Sequence, residues 1–238
     1  LFSADAFGTF GALNGNIFND EIDFDRDWLD EARRYYTNIV GKYGVQVQNA
    51  LKKAAAFDIS VICPLHGPVW RTDLDYIIGK YDIWSKYGTE EKGVMIAYAS
   101  MYGSTENMAE ILAARLAEAG VKNIRMHNIS KTHVSELISD SFKYSHLVLA
   151  APTYNNGIYP LMENYLEDMK ALALSNRTVA VLGNGTWAPQ STKLISAKIG
   201  EMKNMRLLDT AVTIKSAVKD SQMEEIESLA RQIAEEVL

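Results

Sequence analysis

From Gly93 onward, short apolar runs alternate with stretches in which apolar residues recur at helical spacing. The runs have the length and composition of strands buried in a parallel sheet, and the periodic stretches indicate amphipathic helices packed against it. This pattern predicts strands at residues 94–99, 124–128, 147–151, 178–182 and 207–214. It predicts helices at residues 105–119, 134–140, 160–172, 190–203 and 222–238. Regular alternation of this kind is typical of a doubly wound α/β domain.

The first third of the chain has a different pattern. We predict helices at residues 26–40, 45–57 and 74–87, and a short β-branched strand at residues 59–63 that Pro64 ends. Residues 88–92 are polar and charged, which favours a domain boundary there. We therefore expect one domain at residues 1–90 and a second at residues 91–238.

The loop between the first strand and the first helix of the second domain is rich in hydroxyl groups. Ser100, Tyr102, Ser104 and Thr105 lie within six residues, and Gly103 permits a positive φ. A helix N-terminus offers unpaired N–H groups and a partial positive charge, so this loop suits a monophosphate held by dipoles without Lys or Arg. The alternative is that Ser104 or Thr105 only caps the helix. Neither the nucleoside-triphosphate nor the dinucleotide fingerprint fits this loop.

This segment resembles the flavodoxin signature, which is matched by Ile96, Ala97, Tyr98, Ser100, Gly103, Thr105 and Ala109. The resemblance extends over residues 93–238. It implies a flavodoxin-like α/β fold, with a doubly wound five-stranded parallel sheet in the order 2-1-3-4-5. It also implies that the loop binds the phosphate of FMN through Ser100, Met101, Tyr102, Gly103, Ser104 and Thr105.

Two later loops should meet the phosphate loop at the carboxyl ends of the strands, where ligands bind in this fold. Each combines glycine, an amide side chain and an aromatic residue, which are groups that can stack on a flavin ring and hydrogen bond to its edge. The alternative is a pair of turns with incidental aromatic residues. The expected flavin-binding residues in these loops are Pro152, Thr153, Tyr154, Asn155, Gly157, Asn184, Gly185 and Trp187.

Composition narrows the classes of partner. The formal charge of −6 and the absence of a basic run argue against nucleic acid. No apolar stretch is long enough to span a membrane, and no signal peptide is visible. The single cysteine, Cys63, excludes an internal disulfide, and a reducing cytoplasm is the simplest setting.

The segments around Asp5 and His66 resemble the end of the metallo-β-lactamase-like αββα domain of flavodiiron proteins. That resemblance implies that Asp5 bridges two irons and that His66 ligates one of them. Carboxylate with imidazole suits non-haem iron. Chemistry alone favours the alternative, in which Asp5 caps a helix or turn and His66 is a hydrogen-bonded loop histidine. We expect the remaining ligands, including an H-x-E-x-D-H segment, to lie upstream of Leu1, which leaves the diiron site incomplete.

The resemblance implies an oxidoreductase in which FMN passes electrons to a diiron centre that reduces dioxygen to water or nitric oxide to nitrous oxide. It implies a separate electron donor, either a rubredoxin-like protein or a reduced deazaflavin, and a head-to-tail homodimer. We assign no catalytic residue, and we expect this chain alone to be inactive in that reaction. Two alternatives stay open. One is a flavodoxin-like electron carrier or FMN-dependent quinone reductase without a metal site, and the other is a flavin-free binding or assembly module.

Overall fold

The computed structural model describes residues 1–238, which divide into two compact units, Leu1–Gly88 and Thr89–Leu238. Each unit is described by itself. None of the helices in either unit combines the length and the apolar character needed to cross a bilayer.

The first unit is a small α/β structure. Its two short parallel strands are β1 (Phe2–Ala4) and β2 (Cys63–Pro64). Its α-helices are α1 (Phe24–Asp27), α2 (Leu29–Tyr35), α3 (Gly44–Ala54) and α4 (Leu74–Ser85). A π-helical segment, Tyr36–Val40, extends α2, and single 3₁₀ turns lie at Asn19–Glu21 and Gly41–Tyr43.

Aromatic side chains form the core of this unit. Tyr36, Tyr81 and Trp84 are buried, with ring centroids 5.0–5.5 Å apart. Gly44 begins α3 where that helix meets α4, and a Cβ at this position would lie 2.2 Å from the Ser85 carbonyl oxygen. Glycine is therefore required for the close approach of these two helices.

Two sequence predictions are wrong in this unit. The helix expected at residues 26–40 is interrupted at Trp28, whose φ is −130° and whose indole is buried. Packing of this side chain outweighs helical propensity there. The strand expected at residues 59–63 is reduced to the two residues of β2, because a strand needs a partner along its length and β1 supplies only three residues.

The second unit alternates strands and helices, as predicted. Its strands are β3 (Glu91–Tyr98), β4 (Ile124–Asn128), β5 (Tyr144–Tyr154), β6 (Gly157–Ile158), β7 (Arg177–Asn184), β8 (Met205–Leu207) and β9 (Val212–Ile214). Its helices are α5 (Ser104–Glu118), α6 (Val134–Lys143), α7 (Pro160–Ala171), α8 (Ser191–Gly200) and α9 (Asp220–Val237).

The parallel sheet has the order β4-β3-β5-β7-β8, which is the 2-1-3-4-5 order of a flavodoxin-like fold. The sequence-based fold class is therefore confirmed. The fifth strand differs from the prediction, because residues 207–214 do not form one strand. They divide between β8 and β9, which pair in parallel with successive parts of β7.

Helices cover both faces of this sheet, which explains why its strands are apolar on both sides. On one face, α5 and α9 pack together over the sheet. Their buried contacts with β3 and β5 involve Met108, Leu112, Leu116, Ile226, Leu229, Ile233, Val94, Ile96 and Val148. On the other face, α6, α7 and α8 pack in a row, and Met95 contacts the hydroxyls of Ser141 and Tyr165 there.

Arg177 is buried at the start of β7, at the end of this strand away from the predicted flavin-binding loops. Its guanidinium donates hydrogen bonds to the carbonyl oxygens of Ser141 and Phe142 at 2.8 Å, and to that of Ser175 at 2.9 Å. Burial lowers the pKa of Arg177 to about 9. These bonds satisfy carbonyls near the C-terminal end of α6, so Arg177 joins that helix to the sheet.

Candidate functional site

The hydroxyl-rich loop connects β3 to α5 at the carboxyl end of the strand. Within it, the Ser100 hydroxyl accepts a hydrogen bond of 3.0 Å from the Gly103 N–H, which closes the loop on itself. Gly103 has a φ of +87°, and no atom lies within 4 Å of the position where its Cβ would be. The helix that follows has no side-chain cap. Its first N–H groups thus have no side-chain acceptor, and the space beside Gly103, called the cradle below, is open.

Thr105 lies in the first turn of α5 and is buried. Its Oγ1 accepts a hydrogen bond of 3.3 Å from the Nδ2 of Asn184, a residue at the carboxyl end of β7. Asn184 also bonds to the backbone of Ser216, from Nδ2 to the carbonyl oxygen at 3.0 Å and from the Ser216 N–H to Oδ1 at 3.0 Å. The amide of Asn184 therefore joins the start of α5 to the segment between β9 and α9.

The remaining predicted residues of this loop have different exposures. Ser104 is half-buried, whereas Met101 is exposed and Tyr102 is 93% exposed. Just before the loop, the Tyr98 hydroxyl donates to the Glu106 carboxylate at 2.7 Å, and burial, with that carboxylate, raises the pKa of Tyr98 to about 12. Tyr98 is thus a neutral donor that holds Glu106 at the start of α5.

The second predicted loop is a β-hairpin. The expected end of its strand at residue 151 is wrong, because β5 continues through Pro152, which is aligned with Asn184 of β7. It then pairs antiparallel with β6, placing Tyr154 opposite Gly157. Asn155 and Asn156 form the two-residue turn with φ values of +48° and +59°. Asparagine tolerates this left-handed conformation better than most residues.

Thr153 uses its hydroxyl to support another loop. Its Oγ1 accepts hydrogen bonds from the N–H groups of Gln190 and Ser191 at 2.8 and 3.1 Å. These groups stand at the N-terminus of α8, so Thr153 caps a helix from a distant strand. Its oxygen is engaged within the protein, which favours a structural role for this predicted site residue.

The third predicted loop, which contains Gly185 and Trp187 and is called the Trp187 loop below, follows β7. The Gly185 N–H donates to the Ile214 carbonyl oxygen at 3.2 Å, and a Cβ at Gly185 would lie 2.8 Å from the Pro189 Cα. The backbone is therefore tightly folded at this glycine. Trp187, by contrast, is 94% exposed. Such a large exposed indole is unusual in a well-packed domain and is available for a ring contact.

The structure thus brings the three loops to one edge of the sheet, after the adjacent strands β3, β5 and β7. Thr105 and Asn184 are directly hydrogen bonded, and Thr153 bonds to the segment that follows the Trp187 loop. The rings of Tyr154 and Trp187 do not contact each other. Tyr154 instead packs edge-on against Tyr159, with ring centroids 6.2 Å apart.

Sequence reasoning missed Ser216 in this region. Its backbone fixes Asn184, its hydroxyl lies 3.2 Å from that of Thr186, and its φ is +66°. The polar residues after the last predicted strand were the only signal for this position, and local spacing did not connect them with Asn184.

The first unit places Asp5 and His66 together. The His66 Nε2 lies 3.6 Å from an Asp5 carboxylate oxygen, and both side chains are exposed. Asp5 lies in a turn where Ala4 and Phe7 have φ values of +51° and +66°, a conformation that costs free energy in non-glycine residues. Burial, together with the Asp5 carboxylate, raises the pKa of Tyr35 beside this pair.

Comparison with known proteins identifies the second unit. The family model described as Flavodoxin matches residues 96–233, which is more than half of the 238-residue chain. The chain belongs to the flavodoxin family. The matched range contains all three loops at the carboxyl edge of the sheet. Asp5 and His66 lie outside it.

The relatives of this flavodoxin-family chain include flavodiiron proteins, as the sequence resemblance predicted. It is 29% identical over 239 residues to the rubredoxin-oxygen oxidoreductase of Megalodesulfovibrio gigas, covering 98% of this chain and 58% of that protein. The solved structure of rubredoxin oxygen:oxidoreductase from Desulfovibrio gigas matches with a TM-score of 0.86 at 27% identity, over 99% of this chain and 59% of the other. The flavodiiron protein from Giardia intestinalis has the same fold, with a TM-score of 0.91 at 24% identity, over 99% of this chain and 58% of that one.

The chain therefore spans less than two thirds of the length of these relatives. The likeness covers both units of this chain, because nearly all of its residues are aligned. The activity of the longer proteins comes to this chain only as a proposal, made below.

The residues at the sheet edge fit FMN. The Thr105 hydroxyl accepts from Asn184 but donates to no protein group, so its hydrogen is available to a phosphate oxygen. The open cradle at Gly103 and the uncapped N-terminus of α5 supply space and N–H donors beside it. Exposed aromatic side chains at Tyr154 and Trp187 provide faces for a planar ring.

The residues of the first unit do not by themselves fit a diiron cluster. No group of three or more His, Cys, Asp or Glu side chains converges anywhere in residues 1–238. Two irons bound by a protein need more ligands than one carboxylate and one imidazole can provide. Asp5 and His66 can serve only as part of a ligand set.

Proposed function

We propose that this chain binds one FMN at the carboxyl edge of its sheet and acts as an electron-transfer flavoprotein. The observation that carries the proposal is the buried Thr105 hydroxyl, which lies at an uncapped helix N-terminus and has no protein acceptor for its hydrogen. When bound, FMN supplies electron transfer in steps of one or two electrons.

The residues of the chain have separate roles in this proposal. The loop from Ser100 to Thr105 holds the phosphate through N–H groups, hydroxyls and the helix dipole, without a basic side chain. Tyr154 and Trp187 stack against or flank the ring. Asn155 and the backbone at Gly157 and Gly185 contact its polar edge. Pro152 and Thr153 hold these two loops in place.

Replacing Thr105 with Val tests the phosphate site. The substitution keeps the side-chain volume and removes one hydrogen bond to a charged group, which contributes roughly 1.5–3 kcal/mol. We expect the FMN affinity, measured by flavin fluorescence titration, to fall about tenfold or more. The matched control is Thr132→Val, whose hydroxyl lies in the loop before α6 and should leave the affinity unchanged. Equal FMN affinities for Thr105→Val and the unmodified chain would contradict this role for Thr105.

For a longer protein that contains this chain, we propose the reaction of flavodiiron relatives, in which electrons pass from FMN to a diiron centre that reduces dioxygen or nitric oxide. Support comes from the alignment of nearly the whole chain with a rubredoxin-oxygen oxidoreductase and from the proximity of Asp5 to His66. Asp5 would bridge the irons and His66 would bind one of them. A separate donor, rubredoxin or a reduced deazaflavin, would reduce the flavin, in a cytoplasmic head-to-tail homodimer.

A flavodoxin-like electron carrier or quinone reductase is the second candidate. It is favoured by the family match, which covers residues 96–233 and leaves Asp5 and His66 outside. Substituting Asp5 with Ala in the longer protein separates the two candidates. Loss of bound iron and of oxygen or nitric oxide reduction, with FMN content unchanged, supports the flavodiiron reaction. FMN binding without bound iron or such reductase activity, before as well as after the substitution, supports the carrier.

A further inference from the structure

We infer that Asn184 is a positioning residue that makes the Thr105 hydroxyl a dedicated hydrogen-bond donor to the bound phosphate. The inference rests on the proposed binding of FMN. It changes the role expected for Asn184, which the sequence assigned to direct contact with the flavin.

The orientation of the Asn184 amide is fixed by the backbone of Ser216. The Ser216 N–H requires an acceptor and its carbonyl oxygen requires a donor, and they meet Oδ1 and Nδ2 of Asn184 respectively, both at 3.0 Å. A flipped amide would place Nδ2 against the Ser216 N–H, donor against donor, and Oδ1 against the Ser216 carbonyl oxygen, acceptor against acceptor. Only one orientation of the amide therefore satisfies both bonds. Asn184 is also buried, which makes a lost bond costly.

This orientation turns the Nδ2 group toward Thr105, where it donates to Oγ1 at 3.3 Å. A hydroxyl has one hydrogen to donate, and accepting from Asn184 leaves that hydrogen free. The buried Thr105 hydroxyl has no other protein partner. Its hydrogen therefore remains available to a ligand in the cradle, and an acceptor-rich phosphate matches it.

The order of these bonds runs from Ser216 to Asn184 to Thr105, which joins three segments that are far apart in sequence. Asn184 itself uses both amide groups inside the protein. Its effect on binding is therefore exerted through Thr105, and removal of the Thr105 hydroxyl should make Asn184 irrelevant to phosphate recognition.

The test compares the affinities for FMN and riboflavin, which differ only in the phosphate. The FMN affinity divided by the riboflavin affinity reports the contribution of the phosphate, because effects on binding of the ring cancel in this ratio. We expect Asn184→Ala to lower this ratio roughly tenfold, as loss of one directed bond to a charged group would. In the Thr105→Val background, Asn184→Ala should lower it no further, because coupled residues are not additive. The exposed residue Asn164 on α7 provides the control, and Asn164→Ala should leave the ratio unchanged.

Asn184→Asp keeps the side-chain shape and the acceptor for the Ser216 N–H, so it serves if Asn184→Ala does not fold. Its ratio should fall more in the unmodified chain than in the Thr105→Val background. For either variant, equal losses in the two backgrounds, or no loss in the unmodified chain, would overturn the inference. If the unmodified chain binds FMN no better than riboflavin, the proposed phosphate site itself is wrong.

Discussion

The two candidate sites in this chain differ in how much of their structure the chain supplies. At the sheet edge of the second unit, Thr105 and Asn184 are buried and hydrogen bonded across three segments. In the first unit, the side chains of Asp5 and His66 are 62% and 53% exposed, and no third His, Cys, Asp or Glu side chain joins them. A parallel sheet brings the ends of its strands together within one domain, so a flavin site needs no other segment. Asp5 and His66, by contrast, have no further side chains within this chain that could complete a metal site.

A substitution in the Trp187 loop should have the largest effect on ring binding. A Cβ at residue 185 would lie 2.8 Å from the Pro189 Cα and 3.1 Å from the Thr153 Oγ1, so the backbone must shift. We expect Gly185→Ala to weaken FMN and riboflavin equally, by roughly tenfold, in line with typical overpacking costs. Paired titrations with the two flavins measure this.

The control for Gly185→Ala is Gly200→Ala, because a Cβ at residue 200 meets no atom within 4 Å. This control should bind both flavins as the unmodified chain does. A change in Gly185→Ala that is confined to FMN would place the loop against the phosphate and contradict the proposed arrangement.

The aromatic substitutions should have a smaller effect. Trp187→Ala and Tyr154→Ala each remove one face available to the ring, and an aromatic contact contributes about 0.5–1.5 kcal/mol beyond its buried area. We expect a threefold to tenfold loss of affinity and brighter flavin fluorescence, because stacked aromatic rings quench it. Tyr43→Ala, in the first unit, removes another exposed aromatic ring and should change neither quantity. If both loop variants leave the flavin spectrum unchanged, these loops do not face the ring.

Sequence reasoning succeeded where local pattern determines structure. The alternation after Gly93 predicted the strands and helices of the second unit, and the signature from Ile96 to Ala109 predicted its fold. The resemblance to flavodiiron proteins also singled out Asp5 and His66, and the structure places the His66 Nε2 3.6 Å from an Asp5 carboxylate oxygen.

The features that the sequence did not predict depend on tertiary contacts, which local residue spacing does not encode. The role of Asn184 follows from its bonds to Ser216, 32 residues away, and that of Thr153 from a helix cap 38 residues away. The same is true of the broken helix at Trp28, where core packing outweighs helical propensity. The sequence placed Asn184 and Thr153 among the expected flavin-binding residues, but only the fold shows which protein groups their side chains bind.

We propose that the second unit carries a complete FMN site and that Asp5 and His66 belong to a metal-ligand set that this chain does not complete. The most direct test is the cofactor content of the purified chain after incubation with FMN and ferrous iron and removal of unbound ligand by gel filtration. We predict FMN in an equimolar amount and iron far below stoichiometric, since two ligands leave most coordination positions to water. Retention of two irons per chain, or loss of FMN on the column, would contradict the account.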